Sequence, residues 1–151
     1  MKQIRILLLL FTSLLVLSGI TAFPVKTELA ILTKYISAFP YKLQDWINIL
    51  NESVRNTPDI IFYGTDWLAF SHIIISLFFI PVFINPIKYK MNVIIGIISC
   101  LAVFPLAFIC GAIRGIPFFH QLIDCSFGAG GMILLYIIYK KINQLEKNEN
   151  Y

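Results

Sequence analysis

Between Val93 and Ile113 the chain runs for 21 residues without one charged side chain. As a helix such a run measures about 30 Å, the thickness of a bilayer's hydrocarbon core. Three other stretches are comparable. Ile6 to Val25 is interrupted by Thr12, Ser13, Ser18, Gly19 and Thr21. Trp67 to Ile84 carries one ionisable residue, His72, and Leu122 to Tyr139 carries one charge, Asp124. Backbone amides in lipid must satisfy one another, and connections this short cannot close a barrel, so each stretch reads as a helix. Four such spans take up about 80 residues, which leaves little of this 151-residue chain for a soluble domain.

Composition agrees. The chain is 58% hydrophobic and 13% charged, with a mean hydropathy of +0.81, where soluble domains run near 45–50% apolar and about 25% charged. A disordered tail, a collagen and a disulfide-dense secreted module are all excluded. The expected fold is all-α: one membrane domain over residues 1–151, an integral bundle of four transmembrane helices at 6–25, 67–84, 93–113 and 122–139. An extracytoplasmic amphipathic helical cap occupies 26–66, and a tail follows from 140.

The first stretch also has the layout of a secretory signal. Lys2 and Arg5 form a basic start, Ile6 to Val16 an apolar core, and Ile20-Thr21-Ala22 a possible cleavage site after Ala22. Ile20 breaks the small-residue rule and the apolar run continues through Phe23 and Val25, which favours a retained helix. Orientation follows from lysine and arginine placement. With the N-terminus inside, seven of the twelve basic residues (Lys2, Arg5, Lys88, Lys90, Lys140, Lys141 and Lys147) hug the inner helix ends. Lys26, Lys34, Lys42 and Arg55 are diluted, with five acids, in the long outer loop, and Arg114 sits in the short one. Both termini are therefore expected in the cytoplasm. The net charge of +4 is a topology signal and not a nucleic-acid footprint, because no basic stripe with interleaved aromatics accompanies it.

The outer loop is patterned. Leu29, Leu32 and Ile36 share one helical face in Thr27 to Ser37. Leu43, Trp46, Ile47, Leu50 and Val54 form a 3.6-residue stripe in Tyr41 to Val54. Phe39-Pro40 separates the two, and Asn56-Thr57-Pro58-Asp59 ends the second. Such a pair either packs on the bundle or shapes access to a site from outside. Asn51-Glu52-Ser53 spells a glycosylation sequon, which has meaning only in a eukaryotic host.

Ionisable residues at depth cost about 2.5–3.5 kcal/mol at a helix centre unless paired or hydrated, so the few present are informative. Asp66, His72, Arg114, His120 and Asp124 all fall toward the outer side in this topology. Gln121, Asp124, Gly128 and Gly131 recur on one helical face, and the small residues Gly128, Ala129, Gly130 and Gly131 suit close helix packing. That face is expected to look inward, with Asp124 paired to Arg114 and with His72 and Ser76 turned toward it. An Arg–Asp pair with one histidine can serve simply to lock helix register. The same residues can instead form a ligand-binding pocket of Arg114, Asp124, His72, Asp66 and His120.

Enzyme signatures are thin. There is no HExxH or paired CxxC spacing, no GxGxxG, no P-loop and no GxSxG elbow, so neither a metal nor a cofactor is expected. Cys110 and Cys125 are near enough to the outer side to make a disulfide conceivable. The odd cysteine count favours free thiols packed as small apolar groups.

Two strings, Tyr63-Gly64-Thr65-Asp66-Trp67-Leu68-Ala69-Phe70-Ser71-His72 and Arg114-Gly115-Ile116-Pro117-Phe118-Phe119 leading to Leu122-Ile123-Asp124-Cys125-Ser126-Phe127-Gly128, carry a family resemblance. With Ser18-Gly19-Ile20-Thr21-Ala22-Phe23-Pro24 they resemble a family of small, uncharacterised bacterial multi-pass membrane proteins. More distantly the chain is similar to VanZ-like proteins, small multi-helix membrane proteins linked to teicoplanin resistance. The resemblance implies that Asp66, His72, Arg114, Asp124 and Gly128 fill that family's characteristic places. The chain departs from the pattern in its wholly apolar third span, in the long Arg114-to-Asp124 interval, and in Phe127 where a polar Asn is common.

The leading expectation is a non-enzymatic envelope protein with an outer-leaflet polar pocket for an anionic lipid or a peptidoglycan-type glycolipid head group, membrane lipid being its partner. Arg114 meets the anion in this picture. The alternatives are a subunit or scaffold docking a membrane-protein partner through the glycine face of the last span, and an intramembrane lipid-modifying enzyme using Asp66 or His72 as a general base.

Overall fold

The computed structural model describes residues 1–149. The fold is all-α, with no strand among those residues: α1 (Lys2–Ala22), α2 (Val25–Lys34), a 3₁₀ turn (Ile36–Ala38), α3 (Tyr41–Asn56), α4 (Asp59–Leu77), α5 (Ile80–Ile84), α6 (Lys90–Ile113) and α7 (Phe118–Glu149). Among the described residues four stretches are long and apolar enough to cross a membrane: Lys2–Ala22, Asp59–Ile84, Lys90–Ile113 and Phe118–Asn148. At most 22% of each apolar window is buried inside the chain, so most of its surface needs a lipid cover. The protein is a multi-pass membrane protein.

The helix bounds differ from the sequence expectation in ways that prolines and caps explain. α1 stops at Ala22 rather than Val25, because Pro24 disfavours helical backbone in the residue before it. The second membrane stretch starts at Asp59, immediately after Pro58, and not at Trp67. The last helix runs on through the tail expected to begin at Lys140.

The chain folds as two compact units, one comprising Met1–Leu14 and the chain from Ile75 on, the other Leu15–Ile74. The first is built on α6 and α7, an antiparallel pair. Gly96 lies against Leu135, Cys100 against Gly131 and Gly128, Val103 against Gly128, and Gly111 against Gln121. The buried residues of α7 (Gln121, Cys125, Gly128, Leu135, Ile138 and Ile142) recur at three- and four-residue steps once Gly131 is included, the spacing of a left-handed helix seam. A Cβ on Gly96 would lie 2.8 Å from both Leu135 Cδ1 and Phe79 Cζ, so glycine there admits Phe79 to the core. Phe79, Leu8, Val82, Val93, Leu135, Ile138 and Ile142 are fully buried around it, and Phe11 meets Phe79 edge-on with ring centroids 5.0 Å apart.

Pro81 causes the break between α4 and α5. Its ring excludes the Leu77 carbonyl, and the ladder tightens there to Phe79 N–H→Ser76 O (3.2 Å) and Val82 N–H→Phe79 O (3.0 Å). The freed Phe78 carbonyl accepts from Asn92 Nδ2 at 2.7 Å. At the same end Arg5 Nε donates to the last-turn carbonyl of Phe83 at 3.1 Å, Lys90 pairs with Glu146 at 2.5 Å, and Lys141 donates to Gln3 at 2.7 Å.

In the second unit α2 and α3 pack as a helical hairpin through buried Leu29 and Ile47. Asn51 Nδ2, the atom a glycan would modify, donates to Thr33 Oγ1 at 2.9 Å, and Gln44 Nε2 holds the Phe39 carbonyl at 2.7 Å. Lys26 pairs with Asp59 at 2.6 Å and lies 4.7 Å over the Phe62 ring, joining the start of α2 to the start of α4. Gly19 lets α1 approach α4, since a Cβ there would come within 2.7 Å of the Ala69 carbonyl.

Candidate functional site

The turn between α6 and α7 is held by several backbone and side-chain hydrogen bonds. α6 ends in a Schellman motif: Ile116 N–H donates to Gly111 O at 2.9 Å and Gly115 N–H to Ala112 O at 3.3 Å. The motif needs left-handed backbone at Gly115, which has φ +66°. Pro117 follows, and its carbonyl accepts from His120 N–H (2.9 Å) and Gln121 N–H (3.2 Å) as α7 begins. Gln121 then folds back. Its Nε2 donates to Ile116 O at 2.7 Å, and its amide fills the space where a Cβ on Gly111 would lie only 2.6 Å from Gln121 Cδ. Glycine, glutamine and the Ile116 carbonyl thus clamp the turn.

Beside the clamp, between α6 and α7, is an open groove of about 280 Å³. Val103, Leu106, Ala107 and Ile116 give it apolar walls, and Arg114 and Asp124 bring it opposite charges. Arg114 caps α6, where a cation faces the unpaired carbonyls and the negative end of the helix dipole. Its guanidinium makes no hydrogen bond or ion pair among the described residues. Asp124, half-exposed, is approached by His120 Nε2 at 4.0 Å, one helical turn earlier.

Two expectations are corrected here. The Arg114–Asp124 ion pair is not formed, so this pair does not lock helix register. Arg114 stands at the C-cap of α6 and Asp124 six residues beyond the start of α7. Nor does Asp124 point inward. The buried seam passes from Gln121 to Cys125, four residues on, and leaves Asp124 on its flank. The glycines divide likewise. A Cβ on Gly128 would lie 2.9 Å from the Cys100 carbonyl and one on Gly131 3.0 Å from Cys100 Sγ, whereas Gly130 faces open space.

Asp66 and His72 lie on α4, in the unit of residues 15–74. Six positions apart, they project about 120° from each other around the helix and do not form a pair. His72 Nδ1–H donates to the Leu68 carbonyl at 3.0 Å, which in the neutral ring leaves Nε2 as the lone-pair nitrogen. Asp66 is partly exposed, and its carboxylate has no partner among the described residues. Cys100, Cys110 and Cys125 are free thiols, so the conceivable Cys110–Cys125 disulfide is not present. Among the described residues no group of three His, Cys, Asp or Glu is placed to hold a metal ion.

Sequence reasoning missed two features. The clamp could have been suspected from Gln121, a polar residue that starts an otherwise apolar seam. The second is a groove of about 550 Å³ in the other unit, lined by Lys26, Asn51, Arg55, Thr57 and Asp59. It forms where three helix ends meet, and no local sequence signal brings those residues together. Comparison with known protein families, curated proteins and solved structures finds no match for the chain.

Proposed function

We propose that the protein is a non-enzymatic, multi-pass envelope protein of the bacterial inner membrane that holds the anionic part of a lipid or peptidoglycan-type glycolipid head group at Arg114. The observation that carries this is a guanidinium, unpaired among the described residues, at the rim of an apolar-walled groove. A planar guanidinium binds phosphate or carboxylate through paired N–H donors, and apolar walls suit the chain joined to such a head group. Arg114 closes one candidate span and Phe118 opens the next, so the groove mouth lies at the level of a membrane surface. Lysine and arginine placement supports an outer-leaflet site with both termini in the cytoplasm, and the likeness to VanZ-like proteins agrees with an envelope role.

The test is lipid retention. The Arg114→Ala variant, purified in mild detergent, is expected to stay folded and to lose co-purifying phospholipid by mass spectrometry. Unchanged lipid content refutes the reading. Docking of a protein partner through the last helix is the second reading. Gly128 and Gly131 already pack inside this chain, so such a partner would use the open side of α7 around Gly130, beside the exposed Phe127. Loss of a co-purifying protein in Gly130→Leu tests it.

A further inference from the structure

We propose that the head group in the α6–α7 groove is zwitterionic, a primary-ammonium phosphodiester such as ethanolamine phosphate, with its phosphate on Arg114 and its ammonium on Asp124. This rests on the reading of the groove as a lipid head-group site and specifies the chemistry of that site.

Arg114 and Asp124 line one groove with opposite charges, yet they are not within ion-pair distance of each other. Where screening is weak, such charges would meet if their backbones allowed it. Here one charge stands at the C-cap of α6 and the other in the second turn of α7, and neither neutralises the other. A ligand with a single anionic charge would satisfy Arg114 and be repelled by Asp124. A short dipolar ligand answers both. Asp124 also keeps acceptor capacity, because His120 Nε2, one turn before it, stands at 4.0 Å, beyond hydrogen-bond length. A primary ammonium brings three N–H donors to that carboxylate, and a quaternary one brings none. The walls complete the match: Ala107, Leu106 and Val103 run along α6 away from the charged end, and Leu106 is 63% exposed, open to an acyl chain.

Native mass spectrometry of the full chain in detergent, titrated with dioleoyl phosphatidylethanolamine, phosphatidylglycerol and phosphatidylcholine, tests the assignment. The wild type is expected to prefer phosphatidylethanolamine about tenfold, the worth of one charge-assisted hydrogen bond. Asp124→Asn is expected to abolish that preference and Asp124→Glu to keep it. Arg114→Gln is expected to weaken all three lipids together. Both side chains are exposed, and unchanged elution and helical content establish that each variant is folded. Equal binding of phosphatidylglycerol by the wild type, or an unchanged lipid ratio in Asp124→Asn, overturns the zwitterion assignment. In either case, if Arg114→Gln still weakens binding, the head-group reading stands. If Arg114→Gln alters no lipid's retention, both proposals fall.

Discussion

Gly128 and Gly130 are two residues apart on one helix, and the same methyl group added to each should act in opposite directions. At Gly128 the new Cβ would lie 2.9 Å from the Cys100 carbonyl oxygen and 3.1 Å from Val103 Cβ, and a backbone oxygen has no rotamer through which to retreat. At Gly130 nothing lies within 4 Å. Both substitutions gain the same helix propensity, about 1 kcal/mol for alanine over glycine in water, so that contribution cancels between them. What remains is the strain of forcing α6 and α7 apart, about 1–3 kcal/mol for an added methyl in a packed interior. Cys125, buried in the same seam three residues away, is the reporter, and the exposed Cys110 is its internal control. With a thiol reagent in mild detergent, labelling of Cys125 relative to Cys110 follows the opening of the helix pair. Gly128→Ala should label Cys125 faster than Gly130→Ala by roughly 5- to 150-fold, the conversion of that strain. If the two variants label at the same rate, the helices are not held at glycine distance and the packing described here is wrong.

Three further outcomes follow from the same geometry. Gly115→Val should cost about 1–2 kcal/mol because left-handed backbone is strained for a residue with a Cβ, while Gly115→Asn should cost less; hydrogen exchange at the Ile116 amide, which closes the Schellman motif, reads both. Gln121→Ala removes a buried donor to the Ile116 carbonyl and should cost about 1–3 kcal/mol, seen as faster Cys125 labelling; unchanged labelling would mean that the clamp contributes nothing. Lys90 and Glu146, with side chains 27% and 38% exposed, should couple by no more than about 1 kcal/mol in a double-mutant cycle. That coupling should shrink at high salt.

Much of the architecture is legible in the residues themselves. Four charge-poor runs demanded helices, since lipid offers no partner to a free amide. The apolar stripes of Leu29 and of Ile47 marked the two helices between the first pair of spans. Boundaries were less legible, for a local reason. Hydropathy sees side chains, while helix ends are set by backbone chemistry: Pro24 ends α1, Pro58 precedes α4, Pro81 breaks the ladder at Leu77, and nothing in the tail interrupts α7. The expected site residues are divided between the two units, Asp66 and His72 in one and Arg114, His120 and Asp124 in the other. Arg114 and Asp124 do share one groove, but as separate charges.

The sequence by itself determined class: helical, membrane-spanning, with few ionisable groups in or beside its apolar runs. These follow from the solvent each residue tolerates, which is a property of the residue and its near neighbours. Tertiary structure alone decided which small residues are used in contact and which charges stand open. Gly128 and Gly131 rather than Gly130 meet α6, Cys125 rather than Asp124 occupies the seam, and on α7 it is Gln121 rather than Asp124 that is buried. The cause is a difference of about 0.2 residue per two turns. A lone straight helix repeats every 3.6 residues, but two packed helices share a seam near 3.5, and only the partner helix says where that seam begins.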